Sequence, residues 1–422
     1  MKRALVLGGG GSKGSYELGV WKALRRLNMK FDIVTGSSIG SINAALYACG
    51  EYRLAKKLWL TVSTSDLFSC ELGENMSFND YKNVFKQMIE DGGISFSKAE
   101  DFLRKFIDEE KLRKSKVDYG LVTVSLKTKK PKMLTKEQIP VGKLIDYISA
   151  SSTCYPFVSK KEIDDDYFID GGFYDNIPIS LAISMGATEV VAVNLSAFSL
   201  VKKVNNPNVK IDMIKFNDPI KFTLKFDAKT AKRNIKYGYN DTMKHFKKLD
   251  GNNYTFKKGQ LQKNYMKVEK KYKNIINELL LEPYNKTSVK FTSIFNIGKL
   301  NRILTKIKSD ESIENEVNVA IEYLGKLFSI DDTNIYSINK FNNLLLKSVK
   351  ELSYIKVNKK LKDKFLVSYI YNLCNSDKDK KKIAKEIYNV AVIFPKEFLA
   401  AMYLVTITRK NKFLFYLYNL DS

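Results

Sequence analysis

The chain has 422 residues, of which 44% are hydrophobic and 28% charged, proportions of a globular protein rather than a disordered one and enough chain for two or three domains with sizeable cores. Its formal net charge of +25 is unevenly spread: residues 1–200 hold 27 Lys and Arg against 24 Asp and Glu, residues 201–422 hold 44 against 22. Nearly all the excess is therefore C-terminal, which points either to an anionic partner, a negatively charged membrane surface or nucleic acid, or to a lysine-rich composition without function.

The opening segment Met1–Gly8 has only four apolar residues before its glycine, too few for a signal-peptide core. The longest uncharged apolar run, Phe398 to Ile407, is about half of a bilayer span. A cytoplasmic protein, soluble or peripheral to a membrane, is expected. Cys49, Cys70, Cys154 and Cys374 show no Cys-x-x-Cys spacing, which fits a reducing compartment and argues against structural zinc.

Ala4 to Leu7 reads as a short buried strand entering the loop Gly8 to Gly14. A helix follows from about Ser15 to Asn28, with Leu18, Val20, Trp21, Leu24 and Leu27 on its apolar side. Phe31 to Val34 is a second strand, stopping at Gly36-Ser37-Ser38-Ile39-Gly40 before a small-residue helix from Ile39 to Ala48. Strand, glycine loop, helix, strand, serine turn and helix make a βαβ unit, hence an α/β fold with a parallel sheet.

Helical stretches are expected near 51–62, 78–90 and 97–107, then strands at 119–125 and 132–135 around a turn at Lys130-Pro131. A helix from Leu144 to Ser149 should end before a small-residue loop at 150–153. Asp164-Asp165-Asp166 reads as a solvated hairpin turn rather than a cation site. Glu189 to Asn194 reads as the last buried strand, closing a first domain at about residue 205. From 206 onward glycine thins, lysine thickens and helical periodicities take over, as at Ile313, Val317, Ile321 and Leu324, so a mainly α-helical basic second domain is expected over 206–422.

A serine on a sharp strand-to-helix turn is held with its hydroxyl exposed, and glycines two residues to either side let neighbouring backbone pass without a Cβ clash. Ser38, with Gly36 and Gly40, has that spacing and the flanking strand and helix. A tight turn before a core helix would have the same spacing. The loop Gly9-Gly10-Gly11-Ser12-Lys13-Gly14 also fits Gly-x-Gly-x-x-Gly, but the second strand ends in Gly36-Ser37-Ser38 instead of the acidic residue a dinucleotide ribose requires, and Lys13 is followed by Gly14, which breaks a phosphate-binding P-loop. Both strands end at the same edge of a parallel sheet, so the amides of Gly9, Gly10 and Gly11 can face the charge that develops when Ser38 attacks a carbonyl.

Such a serine needs a base. The one histidine, His245, stands among lysines in the basic half and reads as a surface residue. Asp170 follows apolar Tyr167-Phe168-Ile169 and precedes Gly171-Gly172, an end of buried structure with room about it, and is the candidate.

These motifs resemble those of patatin-like phospholipases, whose glycine-rich oxyanion loop, Gly-x-Ser-x-Gly nucleophile and Asp-Gly-Gly base stand in the same chain order. Ala150-Ser151 with Pro156, and Asn176-x-Pro178, match further family features. The resemblance covers roughly residues 1–200. It implies a patatin-like three-layer α/β sandwich with a mainly parallel central sheet. It also implies hydrolysis of fatty acyl esters of phospholipids or other lipids through a Ser38 acyl-enzyme, with Asp170 as general base, Gly9, Gly10 and Gly11 as oxyanion hole, and no metal or organic cofactor. Lys13 and Gly14 support the loop, Gly36 and Gly40 the serine turn, Gly171 and Gly172 the aspartate. Lys13 either shapes its loop, favours an anionic head group or is solvated. Gly8 departs from relatives that carry aspartate there. Three readings of the whole chain follow: a lipid acyl hydrolase in peripheral contact with an anionic membrane, a lipase gated by its helical half as sensor or partner module, and a nucleic-acid binder on an inactive hydrolase fold.

Overall fold

The computed structural model describes residues 2–68, 83, 86–87, 89–195, 200–204, 206–217, 225–281, 297–352, 362–376 and 380–408. The helix expected at 78–90 lies largely outside the described residues, as does Cys70.

Strands β1 (Lys2–Leu7) and β2 (Ile33–Ser37) are almost wholly buried, as apolar strands covered on both faces must be. They pair in parallel, Leu7 opposite Gly36. Between them run a short 3-10 turn, Gly11–Gly14, and helix α1 (Ser15–Arg26); α2 (Ile39–Ala48) follows β2 and packs on β1 and β2. α3 (Tyr52–Thr61) and α4 (Ser97–Phe106) come next, then β3 (Asp118–Ser125), parallel to β2.

β4 (Lys130–Thr135) folds back on β3, with the turn at 126–129 and Pro131 inside the strand opposite Val124. The turn therefore lies upstream of the expected Lys130-Pro131, and Pro131 is tolerated because β4 pairs with β3 alone and one side of its backbone needs no partner. α5 (Leu144–Ser151) runs two residues further than expected, taking Ala150 and Ser151 out of the loop. The acidic run forms a hairpin turn between β5 (Lys161–Ile163) and β6 (Asp166–Asp170), Ile163 pairing with Asp166.

α6 (Ile179–Ser184) packs against one sheet face, where Ile179 and Ala182 meet Ala4, Val6, Val190 and Ala192. β7 (Ala187–Asn194) lies parallel to β1 on the side away from β2. It is not the last strand: β8 (Lys210–Lys215) joins it in parallel. Lys-Ile-Asp-Met-Ile-Lys alternates charged and apolar residues because β8 is an edge strand, and such a run is hard to tell from lysine-rich helix by composition. The sheet order is β5-β6-β3-β2-β1-β7-β8, with β4 beside β3; five neighbouring strands are parallel.

α7 (Ala228–His245) lies against α1. The two backbones touch where Gly19 meets the Ile235 carbonyl and Gly238 meets the Tyr16 carbonyl, positions at which a Cβ would sit 2.1 and 2.0 Å from those oxygens. Tyr16 stacks on Phe216 at 4.3 Å and donates to Asp241 Oδ2 at 3.0 Å. The first compact unit accordingly spans Met1–His245, and the second Phe246–Ser422.

The second unit is mainly helical, with a small sheet of β9 (Leu249–Asp250), β10 (Thr255–Lys257) and β11 (Ile335–Tyr336). Its helices include α8 (Gln260–Ile276), α9 (Ile297–Lys308), α10 (Glu314–Leu327), α11 (Ile338–Leu352), α12 (Lys362–Cys374), α13 (Lys380–Ile393) and α14 (Pro395–Ile407). All of the other six touch α14, whose apolar run from Phe398 to Val405 is buried all round. A helix apolar on every side has to be a core helix or a membrane span, and here it is the core. Its one buried phenol, Tyr403, donates to Asn342 Oδ1 and accepts from Asn264 Nδ2. Among the described residues no helix is long and apolar enough to cross a membrane.

Gly238→Ala should lower stability in urea unfolding by about 1–3 kcal/mol, because the added methyl forces α1 and α7 apart. Gly298→Ala, at a helix position where a Cβ meets nothing, should be neutral or stabilising.

Candidate active site

Ser38 stands between β2 and α2, as the N-cap of α2, with φ 54° and ψ −133°, a backbone state that costs a non-glycine residue roughly 1–3 kcal/mol. The surroundings hold it there. Its N–H donates to Ser151 Oγ at 3.1 Å, and Ser151 Oγ donates to the Val122 carbonyl of β3 at 2.7 Å. Its carbonyl accepts from the Ser41 N–H and hydroxyl at 2.9 and 2.7 Å. Gly36 and Gly40 cross with no space between them: a Cβ on Gly36 would lie 2.3 Å from the Gly40 oxygen, and one on Gly40 as close to the Leu7 oxygen.

The same edge of β3 carries Asp170. Along that edge β2 pairs with residues 118–122 and β6 with 123–125, while β4 occupies the other side. β2 and the antiparallel β6 thus meet end to end, Ser37 opposite Val122 and Asp170 opposite Thr123. Gly171 turns the chain away at once; a Cβ there would strike the Val122 oxygen at 2.1 Å and Ser37 Oγ at 2.7 Å. Gly172 N–H donates to Asp170 Oδ1 at 2.7 Å.

Asp170 is only 5% exposed. Burial pushes its pKa from 3.8 up to about 6, against the lowering effect of hydrogen bonds from the Ser38 hydroxyl and the Gly172 amide. A carboxylate in contact with a serine hydroxyl, and titrating near neutrality, can accept that proton.

The glycine loop lies against Ser38: a Cβ on Gly9 would sit 2.9 Å from Ser38 Cβ and 2.3 Å from Asn176 Oδ1. Of the three amides expected to form an oxyanion hole, that of Gly9 is already engaged, donating to the Asn176 carbonyl at 3.1 Å. The Gly9 amide is thus occupied within the protein, whereas the Gly10 and Gly11 amides have no partner among the described residues. Asn176 grips the same glycine from the other side, its Nδ2 donating to the Gly9 carbonyl at 3.1 Å. Lys13 is 5% exposed, which removes the solvated reading, and Gly14 packs on Ile39 and Trp59.

Behind the loop stands a buried network that the sequence did not announce. Glu17, 2% exposed, accepts from Asn43 Nδ2 at 2.7 Å and from the Gly8 amide. Asn43 Nδ2 also donates to the Gly14 carbonyl, and its Oδ1 accepts from Trp59 Nε1, both at 3.0 Å. The two ends of the loop are so tied to α1, α2 and α3. Burial pushes Glu17 from 4.5 up to about 8. The available signal was Asn43, a lone amide in an otherwise small and apolar helix. Ser151 and Asn176 were visible as motif members, but their partners were not. His245 stands outside this site; it is exposed, with Nε2 3.4 Å from Asp212 Oδ1 on β8.

The family described as patatin-like phospholipase matches residues 5–183, which include the glycine loop, Ser38 and Asp170. The chain contains a patatin-like phospholipase domain. That domain has the patatin α/β fold, with a mixed, mostly parallel sheet, and a mainly helical region follows it. The patatin-like domain is 30% identical over 204 residues to patatin-like phospholipase domain-containing protein 6 of Homo sapiens, covering 46% of this chain and 13% of that protein. It is 28% identical over 200 residues to lysophospholipase NTE1 of Mycosarcoma maydis, covering 47% of this chain and 10% of that protein. The likeness thus spans a small fraction of these relatives' own length. Among solved structures, the crystal structure of VipD from Legionella pneumophila matches at a TM-score of 0.33 with 12% identity, over 95% of this chain and 90% of that one, too low to define a fold.

A carboxyl whose pKa is raised by folding stabilises the protein below its unfolded value and loses that contribution as pH rises toward the folded value. For Glu17 the window runs from about 4.5 to about 8, and its full span is worth up to ~5 kcal/mol. The thermal midpoint of the parent should fall across that window, Asp170 adding a smaller fall of the same sign at its acid end, and Glu17→Gln should flatten the slope between about pH 6 and 8.

Proposed function

We propose that this protein hydrolyses fatty acyl esters of phospholipids or related lipids through an acyl-enzyme on Ser38. The observation that carries the reading is the contact of the Ser38 hydroxyl, on its strained turn, with a buried carboxyl of pKa about 6, beside two glycine amides that have no partner among the described residues. Asp170 takes the hydroxyl proton as Ser38 Oγ bonds to the ester carbonyl carbon, and the Gly10 and Gly11 amides receive the oxyanion. The tetrahedral intermediate collapses, the C–O bond to the leaving alcohol breaks, and Asp170 returns the proton to that alcohol. Water, deprotonated by Asp170, then attacks the acyl carbonyl; the fatty acid leaves and Ser38 recovers its proton.

Each well-aimed amide of this kind is worth roughly 3–4 kcal/mol of barrier lowering, which fits a site whose loop backbone is held by Asn176 and by the Glu17 network. The mechanism asks nothing of His245. With no apolar helix long enough to span a bilayer among the described residues, substrate would be met peripherally, at a membrane surface.

Hydrolysis of phospholipid and of p-nitrophenyl esters should be measurable with the parent and fall by about a thousandfold or more in both Ser38→Ala and Asp170→Asn, since nucleophile and base act as a unit. Because the base must be ionised, kcat/KM of the parent should rise with pH through about 6. Activity retained in Ser38→Ala would overturn the acyl-enzyme, and activity retained in Asp170→Asn, or a pH profile flat through that range, would remove Asp170 from the mechanism.

A further inference from the structure

The near balance of charge in residues 1–200 conceals a segregation that only the folded chain reveals. α1 packs against both α3 and α7, and these two touch each other, so the three form one layer of the first unit. The exposed positions of α1 are Lys22, Arg25 and Arg26; those of α3 are Arg53, Lys56, Lys57 and Thr61. α7 adds Lys229 and Lys232. The only acidic residues on the three helices are Glu17, buried and hydrogen-bonded to Asn43, and Asp241, half-buried, hydrogen-bonded to Tyr16 and ion-paired with Lys244. None of these eight basic side chains forms an ion pair with an acid among the described residues. Two of them span the helix boundaries: Lys22 lies over the Tyr239 ring of α7 at 5.0 Å, and Arg25 over the Tyr52 ring of α3 at 5.1 Å.

We propose that the outer face of this three-helix layer docks the protein on an anionic phospholipid bilayer. The argument is charge complementarity over an area: many unneutralised cations spread across helices, with no acid among them, suit a leaflet whose charges are laterally mobile. Single-stranded nucleic acid wants exposed rings for base stacking, whereas the tyrosines here are half-buried beneath cations. The choice of lipid rests on the hydrolase reading above; the existence of the surface does not. On their inner sides the same helices carry Glu17 and Trp59, which hold the glycine loop, so attachment and site share one rigid layer. The charge that matters for docking is then in the first unit, although most of the chain's excess lies in the second.

The test is cosedimentation of the full chain with vesicles of phosphatidylcholine alone and of phosphatidylcholine with phosphatidylserine, at low and high salt. The parent should bind only the anionic vesicles and be released by salt. Since each basic group near such a leaflet contributes about fivefold, the triple variants Lys22→Gln/Arg25→Gln/Arg26→Gln and Arg53→Gln/Lys56→Gln/Lys57→Gln should each bind about a hundredfold more weakly. Neutralising Lys263, Lys267 and Lys270, exposed on α8 of the second unit, should leave binding nearly unchanged. Parental binding by the first two triples, loss confined to the α8 triple, or tighter binding to duplex DNA than to vesicles that these triples abolish would overturn the proposal. Cleavage of a water-soluble p-nitrophenyl ester is read in parallel. An inactive parent sinks the hydrolase reading and leaves the vesicle result standing, whereas triples that keep ester cleavage but lose vesicles separate docking from chemistry.

Discussion

Everything at the candidate site depends on one strand edge. β3 is long enough to pair with two partners in succession, β2 arriving parallel and β6 arriving antiparallel, so that the ends of both stop at adjacent rungs. A backbone ladder fixes spacing to within a fraction of an ångström, and neither partner can slide without turning its buried residues to the wrong face. Ser38 and Asp170, more than a hundred residues apart in the chain, are therefore juxtaposed by sheet register and not by flexible loops.

The second constraint is burial of two carboxyls. Asp170 and Glu17 both sit where burial makes ionisation costly, and that raises their pKa values; the hydrogen bonds each accepts from a backbone amide and a neutral side chain only partly offset it. The two have different consequences. Asp170 contacts the serine hydroxyl, so a pKa about 6 leaves it ionised yet basic near neutrality. Glu17 contacts the loop backbone, so its protonation bears on how firmly the Gly8 and Gly14 ends are held. Close backbone approach completes the design, since Gly9, Gly36, Gly40 and Gly171 each occupy a place where a methyl group would collide with an oxygen or with Ser38 itself.

The second unit follows a different logic. It is assembled around α14, whose uniformly apolar surface can be covered only by several helices at once, and lysines such as Lys263, Lys267 and Lys270 of α8 lie on the exposed sides of those helices while Lys273 is buried. Most of the chain's net positive charge falls in this unit. In the first unit a smaller number of cations is gathered on one layer with no intervening acid, and field strength at a surface depends on such clustering more than on the total.

Residues 1–48 were legible because their signals are local: a buried strand, a glycine loop, an amphipathic helix and a serine turn are each written within a few positions, and period and turn chemistry act at that range. The order of motifs singled out Asp170 as a candidate as well, and the helical periodicity at Ile313, Val317, Ile321 and Leu324 appears as α10. What sequence could not decide was set at long range. The engagement of the Gly9 amide depends on Asn176, the φ of Ser38 on Ser151, and the burial of Glu17 on Asn43 and Trp59. β8 and α7 extended the first unit past residue 205 because an edge strand and a half-exposed helix look, by composition, like the basic region beyond them. Pairing partners, loop donors and the clustering of cations are properties of which surfaces meet, and a linear pattern specifies only which surface each segment offers.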